Sequence, residues 1–165
     1  MVTIGSGAVS ALAASRRRGD RVVADAPLEV VGEDRLGSGI LDDETCLRLL
    51  ADEPVGRLGF VSAGRPVILP VNHLVADRSL VFCSQPGQKL RAATAGSPAC
   101  FEVDQFDAFW RTGWSVLASG TLDVVPPERV EELRALGLSP WVGGSSASFL
   151  ELRIFDLSGR SVGSD

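Results

Sequence analysis

Lysine is nearly missing from this chain: of its 16 basic residues, Lys89 alone is a lysine and the rest are arginine. So strong a bias suggests a coding preference that replaces lysine wherever the two are interchangeable. They are not interchangeable at a phosphate site, where a compact ammonium and a planar fork fill space differently. Histidine also occurs once, as His73. The three cysteines, Cys46, Cys83 and Cys100, are odd in number and lack metal-ligand spacing. Each lies in an apolar pattern, so all three read as reduced core residues of a cytoplasmic protein. Apolar runs are broken by charge or proline well short of a membrane span. A net charge of −5 argues against nucleic acid or an anionic membrane as the main partner. There is no zinc motif, nucleophile elbow or Walker glycine–lysine motif.

What is present is enough for one domain with a real core: 165 residues, 45% of them apolar. Residues 1–35 stand apart. They are rich in alanine, glycine and serine, and their arginines balance their acids. A secretory signal would put its basic residues before the apolar stretch, whereas Arg16–Arg18 follow Ala8–Ala14. This segment is expected to be a disordered tail, with Arg16–Arg18 as a lesser candidate for a docking patch, and the domain is expected at 36–165.

Asp42 is placed to cap a helix reaching about Asp52, with Leu41 and Cys46 as a hydrophobic staple and Pro54 as the stop. Strands are expected at 55–61, 66–72, 80–83, 98–104, 112–125 and 149–155. Turns fall at 62–65 and 77–79. Gly120 marks a bend or bulge in the long fifth strand. Further helices run from Pro86 to about Gly96, a glycine suited to a left-handed cap, and from Pro126 to Gly137, which closes the helix. Six antiparallel strands with three short helices fit a small barrel, mainly β, not a doubly wound fold.

The stretch 66–93 organises the rest. After a hairpin, Ser84-Gln85-Pro86-Gly87-Gln88-Lys89 turns a strand end into a helix start, which leaves N–H groups unpaired and attracts anions. Ser84 and Gln88 add donors, and Lys89 adds a full charge. Alone, Lys89 reads first as a solvated first-turn lysine. In this company it reads as a phosphate ligand.

Five segments in order, VGRLGFV (55–61), PVILPVNH (66–73), LVFCSQPGQK (80–89), ACFEVD (99–104) and GWSVLASG (113–120), resemble the flavin-binding split-barrel family of pyridoxamine 5′-phosphate oxidase. The resemblance implies a Greek-key, six-stranded antiparallel split barrel that holds FMN at a homodimer interface. It puts the FMN phosphate at Gly87-Gln88-Lys89, where Lys89 falls on the motif's arginine and Leu90 on its lysine. It carries the main chain of the strand containing Ile68, Leu69, Pro70, Val71, Asn72 and His73 along the isoalloxazine edge. It also sets Trp114-Ser115 where the oxidase has an FMN-contacting glutamine. The oxidase's C-terminal pattern of arginines around a histidine is missing from 149–165, so vitamin B6 oxidation is not expected.

The implied protein is an FMN-dependent oxidoreductase acting on a small organic substrate. The alternatives are an F420-dependent reductase on the same fold, or a flavin- or haem-binding module without catalysis. No catalytic residue is assigned. His73 reads either as a strand-end structural histidine or as a residue beside the flavin, and it has no orienting carboxylate nearby in sequence. Trp114 reads as core, interface or stacking platform, and Trp141 as a cover for a neighbouring flavin or a packing residue. Glu102 and Asp104 read as a solvated face.

Overall fold

The computed structural model describes residues 27–137 and 148–163. Its elements in order are β1 (Val30–Glu33), β2 (Gly39–Leu41), α1 (Asp43–Asp52), β3 (Val55–Ser62), β4 (Arg65–Ala76), β5 (Ser79–Ser84), α2 (Gln88–Thr94), β6 (Ser97–Asp107), β7 (Thr112–Val124), α3 (Pro127–Ala135) and β8 (Ser148–Val162). Asp42 caps α1 as the sequence predicts, its Oδ1 accepting from the Thr45 N–H at 2.7 Å. Gly96 and Gly137 follow α2 and α3 with positive φ, 60° and 86°. There a left-handed turn costs glycine little.

The sheet runs β1-β2-β8-β5-β4-β3-β6-β7 and closes because β8 also pairs with β7. All neighbouring pairs are antiparallel, so β8-β5-β4-β3-β6-β7 form a six-stranded barrel. The expected fold class holds. Strand β8 serves both halves. Residues 148–153 pair with β5 and residues 159–161 with β2, while its other edge follows β7. The ladder slips a residue between Ser119 and Gly120, at the expected bulge. A Cβ on Gly120 would lie 1.8 Å from the Arg153 carbonyl oxygen, so only glycine fits that crossing.

Alternation on β6 and β7 sorts side chains cleanly. Phe101, Val103, Trp114, Val116 and Ala118 are buried inside, together with Leu49, Leu50 and Leu58. Helix α3 covers a second cluster holding Val81, Cys83, Val125, Leu133 and Phe149. It is fastened there by Arg129, whose Nη1 donates to both oxygens of the buried Glu151 at 2.9 and 3.1 Å.

Two expectations are corrected. Strands β1 and β2 extend the sheet to eight, and β1 lies within the stretch expected as tail. Residues 27–29 are also tied down, for Arg48 Nη2 donates to the Pro27 carbonyl at 3.1 Å and the Asp42 N–H to that of Glu29 at 3.3 Å. Burial was the wrong expectation for Cys100. It shares the outward parity of Glu102 and Asp104, and its sulfur lies over Gly59. Cys46 and Cys83 are buried, and all three thiols are free. The tail readings for residues 1–26, Arg16–Arg18 among them, and the reading of Trp141 fall outside the described residues. Among the described residues, no helix is long and apolar enough to cross a membrane.

Candidate functional site

The barrel splits where β4 changes partner. Residues 65–72 pair with β3, but only residues 73–76 pair with β5, which itself stays on β8 to Ser84. Beyond His73 the strands part. A cleft of about 590 Å³ opens between β4 and the turn leading from β5 into α2. Along 65–72 the edge of β4 turned away from β3 therefore carries no strand among the described residues. Pro66 and Pro70 suit that edge, because a proline has no N–H to give a ladder.

Of the eleven candidate residues, the cleft gathers seven: Leu69, Pro70, Val71, Asn72, Ser84, Gln88 and Lys89. Lys89 is the one charged side chain in its lining among the described residues. No carboxylate among them forms an ion pair with it. Burial pushes its ammonium below the ordinary lysine value, and the nearby Cys83 thiol opposes this. Cys83 lines the same cleft, and burial pushes its thiol upward against the influence of Lys89 and Arg134. A half-buried cation without a carboxylate partner is a good fit for an anionic group, as a nucleotide phosphate would supply.

Ser84 behaves otherwise than expected. It is buried, and its hydroxyl donates to the Gln85 carbonyl at 2.9 Å, so its proton is already engaged. Helix α2 has only seven residues and no side-chain cap, which makes its dipole a small contribution. Charge at this end of the cleft thus rests on Lys89.

The other four candidates lie elsewhere. The Ile68 side chain is 72% exposed on the outer face, and only its backbone borders the open edge. His73 turns to the core side. Its ring centroid lies 4.6 Å from that of Phe101, and its Nε2 is 2.6 Å from the Leu50 carbonyl oxygen. A carbonyl only accepts, so Nε2 carries the proton. Trp114 and Ser115 sit on β7, separated from β4 by β3 and β6. Trp114 is buried and lines a different cavity of about 510 Å³, while Ser115 points outward. Sequence reasoning missed Val55 and Cys83 as lining residues. The signal for Val55 was its register opposite Asn72, which a single strand does not display.

On the outer face Arg57 sits between two carboxylates, 2.6 Å from Asp104 Oδ1 and 3.5 Å from Glu102 Oε2. Burial and the Asp104 charge raise the Glu102 carboxyl above its usual range, and Arg57 acts against them. This cluster is an ion network on the barrel exterior, away from the cleft lining.

Comparison with known proteins agrees with this geometry. The uncharacterized protein Rv0080 of Mycobacterium tuberculosis is 39% identical over 108 residues, 62% of this chain and 70% of that protein. The FAD-binding protein from Mycobacterium smegmatis matches in structure with a TM-score of 0.65 at 27% identity, over 74% of this chain and 96% of that one. A conserved protein of unknown function, DIP1874 from Corynebacterium diphtheriae, matches with a TM-score of 0.61 at 30% identity, over 75% and 97%. The family model for pyridoxamine 5′-phosphate oxidase covers residues 42–161, from the cap of α1 to the end of β8, and the chain belongs to that family.

Proposed function

We infer that this chain is a flavin-nucleotide-binding redox protein that acts on a small organic substrate as a homodimer. The observation that carries this reading is Lys89, among the described residues the one charge in the lining of a cleft that borders an open strand edge. A bound flavin supplies electron transfer, which the side chains of this chain do not offer by themselves. The chain's part is to hold and screen it. Lys89 neutralises the phosphate, the backbone edge of residues 66–71 offers hydrogen bonds to a planar ring, and Leu69, Val71 and Val55 keep water from one face. No carboxylate or imidazole among the described residues lines the cleft, so a proton consumed in the reaction comes from solvent or substrate.

The same lack of an acid–base group supports a second reading, a flavin carrier or sensor without turnover. Dimerisation is supported by the placement of Ser115. The family resemblance brings it to the flavin, yet it points outward from β7 and is not among the residues that line the cleft of its own chain. A second copy can present it. Ile68 and Leu117, 72% and 41% exposed on the outer face, provide apolar surface for such a contact.

A visible spectrum of the purified protein tests the reading, because flavins, F420 and haem absorb differently. A flavin spectrum, or stoichiometric uptake of added flavin, is expected. A haem or F420 spectrum, or a colourless protein that takes up no flavin, would refute it. Turnover with a reductant and a quinone then separates enzyme from carrier.

A further inference from the structure

The cleft offers a bound nucleotide one positive charge and no more among the described residues. Around Lys89 the lining is uncharged. Three other cations lie outside that lining and are paired with carboxylates. Arg57 is held by Asp104 at 2.6 Å, Arg134 by Glu131 at 2.8 Å, and Arg153 by Asp123 at 2.7 Å. Arg91 is exposed one turn on from Gly87 and Gln88 and is not among the residues that line the cleft. The stretch 138–147 holds no charged residue in its sequence.

A terminal phosphate monoester carries close to two negative charges above its second pKa, near 6. Each phosphate of a diester or pyrophosphate diester carries one. A second negative charge drawn into a half-buried site without a partner is costly, because its lost hydration is not replaced. We propose that this cleft selects a flavin nucleotide whose ring-side phosphate is a singly charged diester, as in a flavin dinucleotide, over the terminal monoester of FMN. The proposal rests on the flavin reading above and adds the class of nucleotide. FMN then enters chiefly as its monoanion, so its affinity rises as pH falls toward 6. A diester has no such proton to gain.

The test is a fluorescence titration of the full chain, stripped of bound flavin, with four ligands at pH 8 and pH 5.5. These are riboflavin, FMN, FAD and the methyl ester of FMN, a diester without adenosine that removes adenine contacts from the comparison. At pH 8 the methyl ester is expected to bind about ten-fold or more tighter than FMN. At pH 5.5 the two converge, since proton linkage gives FMN up to about ten-fold per pH unit above its pKa. FAD follows the methyl ester. Loss of the Lys89 proton at the higher pH would weaken both esters together. FMN binding as tightly as its methyl ester at pH 8, or tighter, overturns the proposal. So does riboflavin matching both, which removes the phosphate contact but leaves the flavin reading standing. If none of the four binds, the flavin reading falls and takes the proposal with it.

Discussion

His73 Nε2 donates to the carbonyl oxygen of Leu50 at 2.6 Å, so the chain's single histidine closes the C-terminal turn of α1 from strand β4. The last carbonyls of a helix have no partner within it. The Glu53 N–H serves Leu49 at 3.2 Å, and His73 serves the next carbonyl along. Replacing His73 by alanine leaves that carbonyl without this donor and removes a ring from Phe101. The expected loss is about 1–3 kcal/mol of stability. Chemical denaturation measures it. Flavin affinity should stay within about two-fold, because the ring faces the core side and not the cleft. A large loss of flavin binding with unchanged stability would return His73 to the site.

The boundary of the folded unit is tested by two truncations. Deleting residues 1–35 removes β1 together with the contacts of Pro27, Glu29 and Asp34 to Arg48, Asp42 and Arg160. It should lower Tm by several degrees more than deleting residues 1–26, which keeps all of them. Equal melting temperatures for the two would mean that β1 contributes nothing to the fold.

How far the sequence foretold this structure depends on how each element is held. The six barrel strands and three helices announce themselves through alternation, proline and glycine, because their signals are local. Strands β1 and β2 do not. Val30–Glu33 is wholly exposed and Gly39–Leu41 is three residues long, so neither shows a period, and both exist because the far half of β8 offers an edge. The site divides the same way. The turn at 84–89 and the edge strand 66–72 were legible as chemistry on contiguous residues. Long-range facts were not: His73 reaching Leu50, and Trp114-Ser115 lying on β7 outside the cleft lining, depend on how the elements pack. Cys100 is the instructive error, since its alternation with Ala99 and Phe101 already placed it on the outer face.

That placement predicts thiol reactivity. Cys100 is partly exposed. Cys46 is 1% exposed, and burial with the charges of Asp43 and Asp42 pushes its thiol up to about 11. Cys83 is buried and also shifted upward. The thiolate is the reactive form. A colorimetric thiol reagent at pH 8 should therefore label the native protein first at Cys100, with all three thiols reacting only in denaturant. Mass mapping that finds Cys46 labelled first would contradict the packing of α1 against β8.

Asp42 links stability to pH in a definite direction. The Thr45 N–H, and then the Thr45 hydroxyl, hold its carboxyl below the usual range in the folded state. A depressed folded pKa gives stability that is fully present above the unfolded value, about 3.9, and is lost as pH falls through the folded value. The substitution Asp42→Asn would keep a capping oxygen and remove the titration. Between about pH 5 and pH 2 the parent should thus lose Tm faster than this variant. Parallel curves would show that the cap is not charged in the folded protein.

Lys89 joins the fold to the chemistry, and its substitution separates a phosphate ligand from a surface lysine. If it pairs with a nucleotide phosphate, Lys89→Ala should weaken FMN and FAD by about ten- to a hundred-fold, the scale of a hydrogen bond to a charged group. Riboflavin has no phosphate and should bind the variant about as well as the parent. Lys89→Arg should recover only part of the loss, because a planar fork must enter a space shaped around an ammonium. Added salt should weaken FAD more in the parent than in the alanine variant, since only the parent has a charge pair to screen. Equal weakening of all three flavins would make Lys89 a structural residue of the β5–α2 turn. No change in any of them would make it a solvated lysine, and the phosphate end of the cleft would then have to be sought along the open edge of β4.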